Sequence, residues 1–260
     1  MFRSRLGRRR GTATALIAAA SLALTLGGCG VDTVTPQDAR AEGGTDDKAG
    51  AGRRVDCAEV KCIALTFDAG PGKDTPRLLD ILKEKKVPAT FFLLGSKHVD
   101  RYPKVVKRIA DEGHEVANHT WTHRILTDLD ESEVREELSR TQDAVEKITG
   151  RRPTLMRPPQ GRTDGAVSDV SKELGLAQIL WSITAKDYST TDSALIRKRV
   201  LEQAHGDGII LLHDIYDGTV PAVPSIIDEL KRRGFTFVTV PELLAPGTAE
   251  PGAVYRPEKD

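Results

Sequence analysis

From Cys62 to Val240, short apolar runs alternate with amphipathic stretches, and this alternation limits the fold more than any other feature of the chain. Residues 63–67 (Ile-Ala-Leu-Thr-Phe) read as a strand ending at Asp68, and Asp74 with Pro76 opens a helix whose Leu78, Leu79, Ile81 and Leu82 keep a helical period. Further strands are expected at 89–94, 115–118, 155–157, 178–182, 209–213 and 235–240. Helices are expected at 103–112, from the cap at Asp130 to about Ile148, and at 166–174, 192–203 and 220–233. About seven strands, most followed by a helix, define a parallel α/β architecture. The pattern by itself does not separate a barrel from an open doubly wound sheet.

What precedes this region is different in kind. Residues 1–28 carry five arginines (Arg3, Arg5, Arg8, Arg9, Arg10) and no acid, followed by a short apolar run, the order of a secretory signal peptide. The run ends in Leu26-Gly27-Gly28-Cys29, which is similar to a bacterial lipobox; there Cys29 is lipidated and the exported protein is anchored on the outer face of the cell membrane. Residues 29–56 have no aromatic side chain and read as a disordered tether, and 247–260, with two prolines, as a disordered tail. The folded domain is therefore expected at 57–246. In an oxidising compartment Cys57 and Cys62 read as a disulfide; the alternative, a pair of metal ligands, has no second Cys or His pair close by.

Charge and loop chemistry exclude two partner classes. Without the leader the chain has 33 basic residues against 38 acidic ones, a poor balance for neutralising phosphates, so no nucleic-acid partner is expected. After the first strand, Asp68-Ala69-Gly70-Pro71-Gly72 has neither GxGxxG spacing nor a P-loop lysine, so no nucleotide is expected.

In parallel α/β folds, active sites lie at the carboxyl ends of the strands. Those ends here carry Asp68, His119, Arg157, the segment Trp181 to Asp187, and His213-Asp214. If His119-Thr-Trp-Thr-His123 forms one helical turn, its two imidazoles share a face and can grip one cation. Asp68 can serve as general base and His213 as general acid, and Arg157 can fix a buried carboxylate by a bidentate pair.

In order along the chain, these residues resemble the five motifs of the NodB-homology polysaccharide deacetylases, carbohydrate esterase family four. Thr66-Phe67-Asp68-Ala69-Gly70-Pro71 is similar to TFDDGP, and His119 to His123 to the metal-binding HxxxH. Arg157-Pro-Pro-Gln160-Gly161, Trp181 to Tyr188, and Leu211-Leu-His213 resemble the other three. The resemblance implies a distorted (β/α) barrel of about seven strands that removes N-acetyl groups from a polysaccharide, with peptidoglycan the simplest substrate for an anchored enzyme. It also implies a divalent cation (zinc, cobalt or manganese) on His119 and His123, Asp68 as base, Arg157 orienting it, and His213 as acid supported by Asp187. Leu211 and Trp181 would wall the acetate pocket, the Gln160 backbone N–H would help hold the oxyanion, and Tyr188 would face substrate.

The departures are specific. Ala69 stands where the family usually supplies a third, carboxylate ligand; Gln160 replaces Tyr; Thr184 and Tyr188 replace Asp and Trp. Two other functions share the machinery: an O-acetyl xylan esterase, and a catalytically silent glycan-binding protein.

Overall fold

The computed structural model describes residue 1, residues 31–43 and residues 55–258; the leader beyond Met1, and Cys29, lie outside the described residues. The described chain enters through a two-residue strand, β1 (Thr33–Val34), and helix α1 (Pro36–Glu42), and then forms β2 (Cys62–Gly70) and α2 (Thr75–Lys85). Two more strand–helix units follow, β3 (Thr90–Leu93) with α3 (Pro103–Asp111) and β4 (Glu115–Asn118) with α4 (Glu131–Thr149). Next come β5 (Leu155–Met156), α5 (Gly165–Glu173), β6 (Ala177–Ile179) and β7 (Ile183–Thr184). The remaining elements are α6 (Ser193–Gln203), β8 (Gly208–Leu212), α7 (Thr219–Arg232), β9 (Thr236–Val238), α8 (Val240–Leu244) and β10 (Val254–Tyr255).

Every strand pairing is parallel, in the order β1-β10-β6-β5-β4-β3-β2-β8-β7, with β9 added to the start of β2. Strands β6 and β7 lie near opposite ends of this order, yet only Leu180, Trp181 and Ser182 separate them in sequence. Four residue steps reach at most about 14 Å, so the sheet must curl until its ends nearly meet. That is the distorted (β/α) barrel. Among the described residues it has ten strands rather than the expected seven. The three additions, β1, β7 and β10, are two residues each, too short to leave a periodic signal, and the strand expected at 178–182 stops as β6 at Ile179, the chain crossing to β7 at Ile183.

Strand β2 runs through the middle, and all nine of its residues are buried. Its odd positions Ile63, Leu65 and Phe67 face the helices, where they pack with Leu78, Leu79 and Leu82 of α2 and Val223, Ile226 and Leu230 of α7. Each such side chain contributes roughly 1.5–3 kcal/mol by leaving water. Its even position Ala64 belongs to a second cluster with Phe92, Ile179 and Ile209. The period of two therefore places Thr66 and Asp68 on the inner face. At the end of β2 the register against β3 shifts between Asp68 and Gly70, and Ala69 takes φ +62°.

Both ends of the chain depart from the expected tether and tail. Residues 33–42 form β1 and α1, and β10 joins the sheet between β1 and β6. Arg40 meets Asp207 at 2.6 Å, both side chains nearly buried, and Gln37 donates to the same carboxylate at 2.6 Å. Backbone pairing and one long-range ion pair hold a segment that lacks the apolar side chains for a core of its own. Cys57 and Cys62 are joined by a disulfide, with Cα atoms 5.4 Å apart.

Candidate active site

Asp68 and Arg157 form a buried ion pair, Nη1 to Oδ1, at 2.6 Å. The same Nη1 donates to the Thr66 hydroxyl at 2.8 Å, while Nε donates to the Ile179 carbonyl at 2.9 Å and Nη2 to that of Leu180 at 3.5 Å. The expected bidentate grip on Asp68 is thus a single contact. The remaining donors are spent on the backbone where β6 crosses to β7. The guanidinium lies 4.0 Å from the centre of the Phe92 ring, which completes its burial.

His119 follows β4 directly, and its Nδ1 lies 2.8 Å from the Arg157 carbonyl, so the ring donates there and turns Nε2 toward Asp68 Oδ2, 3.9 Å away. A ligand imidazole is commonly fixed through its other nitrogen in this way. The segment 119–123 is a loop rather than the expected helical turn, with φ +69° at Thr120 and +65° at His123. The two imidazoles nevertheless meet, ring centres 4.9 Å apart. Burial drives His119 down to about 4 against the opposing pull of Asp68, and burial also lowers His123, so both rings are neutral and able to coordinate at neutral pH.

Two oriented, neutral imidazoles fit a divalent cation. Ala69 offers no donor atom, and among the described residues no cluster of three His, Cys, Asp or Glu side chains is gathered for a metal. The backbone at position 69 is left-handed, a conformation in which Asp and Asn are enriched, so a carboxylate would be conformationally at home there.

Across the cleft, Asp187 accepts from the His213 backbone N–H at 2.7 Å and from the Thr219 hydroxyl at 2.8 Å, and its Oδ1 holds His213 Nδ1 at 2.9 Å. Burial pulls the His213 imidazole down, but the hydrogen bond and charge of Asp187, with the charge of Asp68, outweigh it and leave the ring above its ordinary value. An acid so supported holds its proton to higher pH than an ordinary imidazole, and its activity falls as pH rises past its pKa. Asp187→Asn removes the stabilising charge, so the alkaline limb of kcat should move to lower pH; a pH–rate profile with an unmoved limb would detach Asp187 from this role.

These groups open into one cleft of about 520 Å³. Its lining includes Asp68, His119, His123, Gln160, Trp181 and Leu211, and Tyr188 and His213 close the far side. Tyr188 is well exposed and meets the His213 ring edge-on at 6.3 Å, with Tyr216 at 5.3 Å on the same imidazole. A second cavity of about 530 Å³, near Pro241 and Pro251, holds Glu242 as its one ionisable side chain, already spent capping α8 at Thr239.

Several residues of the site were not singled out in the sequence. The Thr66 hydroxyl accepts from Arg157, the Thr219 hydroxyl donates to Asp187, Lys186 and Tyr216 line the cleft, and Glu137 grips the histidine loop. Asp214, read with His213 at the strand end, is fully buried; burial pushes its carboxyl up to about 6, Thr75 donates to Oδ2, and Oδ1 has no partner among the described residues. A Cβ on Gly70 would collide with that carboxylate, so glycine is required there. Polar residues at positions that periodicity marks as buried were the available signal.

A parallel (β/α) barrel with a carboxylate–arginine pair, a carboxylate–imidazole pair and two further imidazoles in one strand-end cleft defines a narrow class of protein. The family model described as polysaccharide deacetylase matches residues 56–179. The peptidoglycan-N-acetylglucosamine deacetylase PgdA of Listeria monocytogenes is 42% identical over 184 residues, covering 70% of this chain and 39% of its own. The peptidoglycan-N-acetylmuramic acid deacetylase PdaC of Bacillus subtilis is 43% identical over 185 residues, covering 70% and 38%. The chain thus spans about two fifths of the length of these two relatives. Among solved structures, that described as T48 deacetylase with substrate is 40% identical with a TM-score of 0.74, covering 77% of this chain and 99% of its own. The wild-type BA3943 of Bacillus anthracis, described as a CE4 family pseudoenzyme, is 28% identical with a TM-score of 0.68, covering 75% and 69%. This chain belongs to the polysaccharide deacetylase family, carbohydrate esterase family four.

Proposed function

We propose that this protein hydrolyses N-acetyl groups on peptidoglycan, releasing acetate and leaving a free amine on the sugar. The observation that carries the reading is the pairing of each reactive group with an opposite charge inside one cleft: Asp68 with Arg157 at 2.6 Å and His213 with Asp187 at 2.9 Å. A divalent cation (zinc, cobalt or manganese) on His119 and His123 would polarise the acetamide carbonyl and acidify water. Asp68 takes a proton from the attacking water, and Arg157 holds its carboxylate in place. His213 gives a proton to the departing amine, and Asp187 stabilises the imidazolium until it does. The Gln160 backbone N–H helps hold the developing oxyanion. Leu211 and Trp181 enclose the acetyl methyl, and the flat, exposed face of Tyr188 suits a sugar ring.

Both peptidoglycan relatives support the substrate class. So does Lys186, a residue of the cleft lining whose cationic side chain suits a carboxylate such as the lactyl group of muramic acid, which chitin lacks. With metal supplied, acetate release should be faster from peptidoglycan than from chitin oligomers or acetylated xylan. Faster release from xylan would make the protein an ester hydrolase. Ala69 and the likeness to a pseudoenzyme favour one second reading, a silent glycan-binding protein, which predicts binding without release. On the order of its leader residues, the protein is exported and lipid-anchored through Cys29 on the outer face of the membrane. The Cys29→Ala protein should then leave the membrane fraction.

A further inference from the structure

The loop between His119 and His123 is held in a conformation it would not choose alone. Left-handed backbone at Thr120 and His123 costs energy in non-glycine residues and persists only where the surroundings over-determine it. The constraint comes from α4. Its buried Glu137 accepts from the Trp121 N–H at 3.0 Å, the Thr122 N–H at 2.8 Å and the Thr122 hydroxyl at 2.5 Å. One turn further along α4, the Arg140 guanidinium stacks 4.4 Å over the Trp121 ring, which itself fills the space left by Gly95. Asn118 adds a third tie: Oδ1 accepts from the Thr120 N–H and Nδ2 donates to the Leu138 carbonyl, each at 2.8 Å.

We infer that Glu137 is a positioning residue that presets the spacing of His119 and His123 for a divalent cation. The inference rests on the metal-dependent reading above. With Ala69 in place of a third ligand, binding energy cannot be spent on ordering a loose loop, so affinity depends on a loop already ordered in the free protein. A carboxylate suits the task because one group accepts from three donors at once, fixing the two residues midway between the imidazoles.

The test is a calorimetric zinc titration of the purified protein, wild type against Glu137→Ala and Glu137→Gln, with amide hydrogen exchange of the metal-free forms alongside. Glu137→Ala should weaken zinc binding by about 10–100-fold, the range for loss of outer-shell support. Glu137→Gln keeps an acceptor for the N–H groups and a donor for the Thr122 hydroxyl oxygen, so it should restore most of the affinity. In the metal-free Ala variant, exchange at Trp121 and Thr122 should speed up while β2 and β3 stay protected. Zinc binding in Glu137→Ala within twofold of wild type, or exchange that rises equally in β2 and β3, would overturn the inference. If wild type itself takes up no zinc, the metal-dependent reading fails, and the inference fails with it even where exchange shows Glu137 ordering the loop.

Discussion

Arg157→Met should cost the protein about 3–5 kcal/mol of stability, the scale for removing one partner of a buried ion pair. Arg157 has no exposed surface, and its loss strands the Asp68 carboxylate with no cation in contact. It also frees the Ile179 and Leu180 carbonyls where β6 passes to β7, so the damage falls on the crossing that closes the barrel. Arg157→Lys should recover only part of the loss, because an ammonium cannot reproduce a planar fork aimed at Asp68, Thr66 and two carbonyls. Denaturant unfolding measures the difference. A loss below about 1 kcal/mol, the level of an exposed ion pair, would contradict the account.

Asp68→Asn should lower kcat for acetate release by about 10²–10⁴-fold, the usual contribution of a positioned general base. The amide oxygen still accepts from Arg157 and the volume is unchanged, so the cleft keeps its shape and KM should move little. Some stability goes with the lost charge, so the rate is measured on protein shown to be folded. A rate within tenfold of wild type would assign water activation to another group. His213→Ala should be the milder change, since solvent can protonate the departing amine through the open side of the cleft.

The alternation of apolar runs was enough to read the barrel's framework, because strands such as β2, β3, β6 and β8 are buried on both faces and the helices between them on one. The crossing at 180–182 was hidden: Leu180-Trp181-Ser182 contains neither Gly nor Pro, so nothing there marks the end of β6 or the start of β7. The clasp at residues 33–42 was hidden for another reason. It rests on backbone pairing and on Arg40 meeting Asp207, 167 residues away, and composition carries no trace of either.

In the site, Asp68, His119, Arg157, Asp187 and His213 were legible because strand ends concentrate ionisable side chains at one mouth. Glu137 was not, since a carboxylate between Val134 and Leu138 on the buried face of α4 has no meaning until the loop it holds is in view. Ala69 was legible as a departure, and the structure adds that its left-handed backbone suits the carboxylate it lacks.

The most direct measurement is acetate release from peptidoglycan by the purified protein after chelation, then with zinc, cobalt or manganese restored, for wild type, His119→Ala and Ala69→Asp. The account predicts no release from the chelated protein and recovery with metal in wild type. It predicts no recovery in His119→Ala, and in Ala69→Asp recovery at lower metal concentration than wild type requires. Release that survives chelation and the loss of His119 would contradict it, as would glycan binding without release under every metal in both wild type and Ala69→Asp.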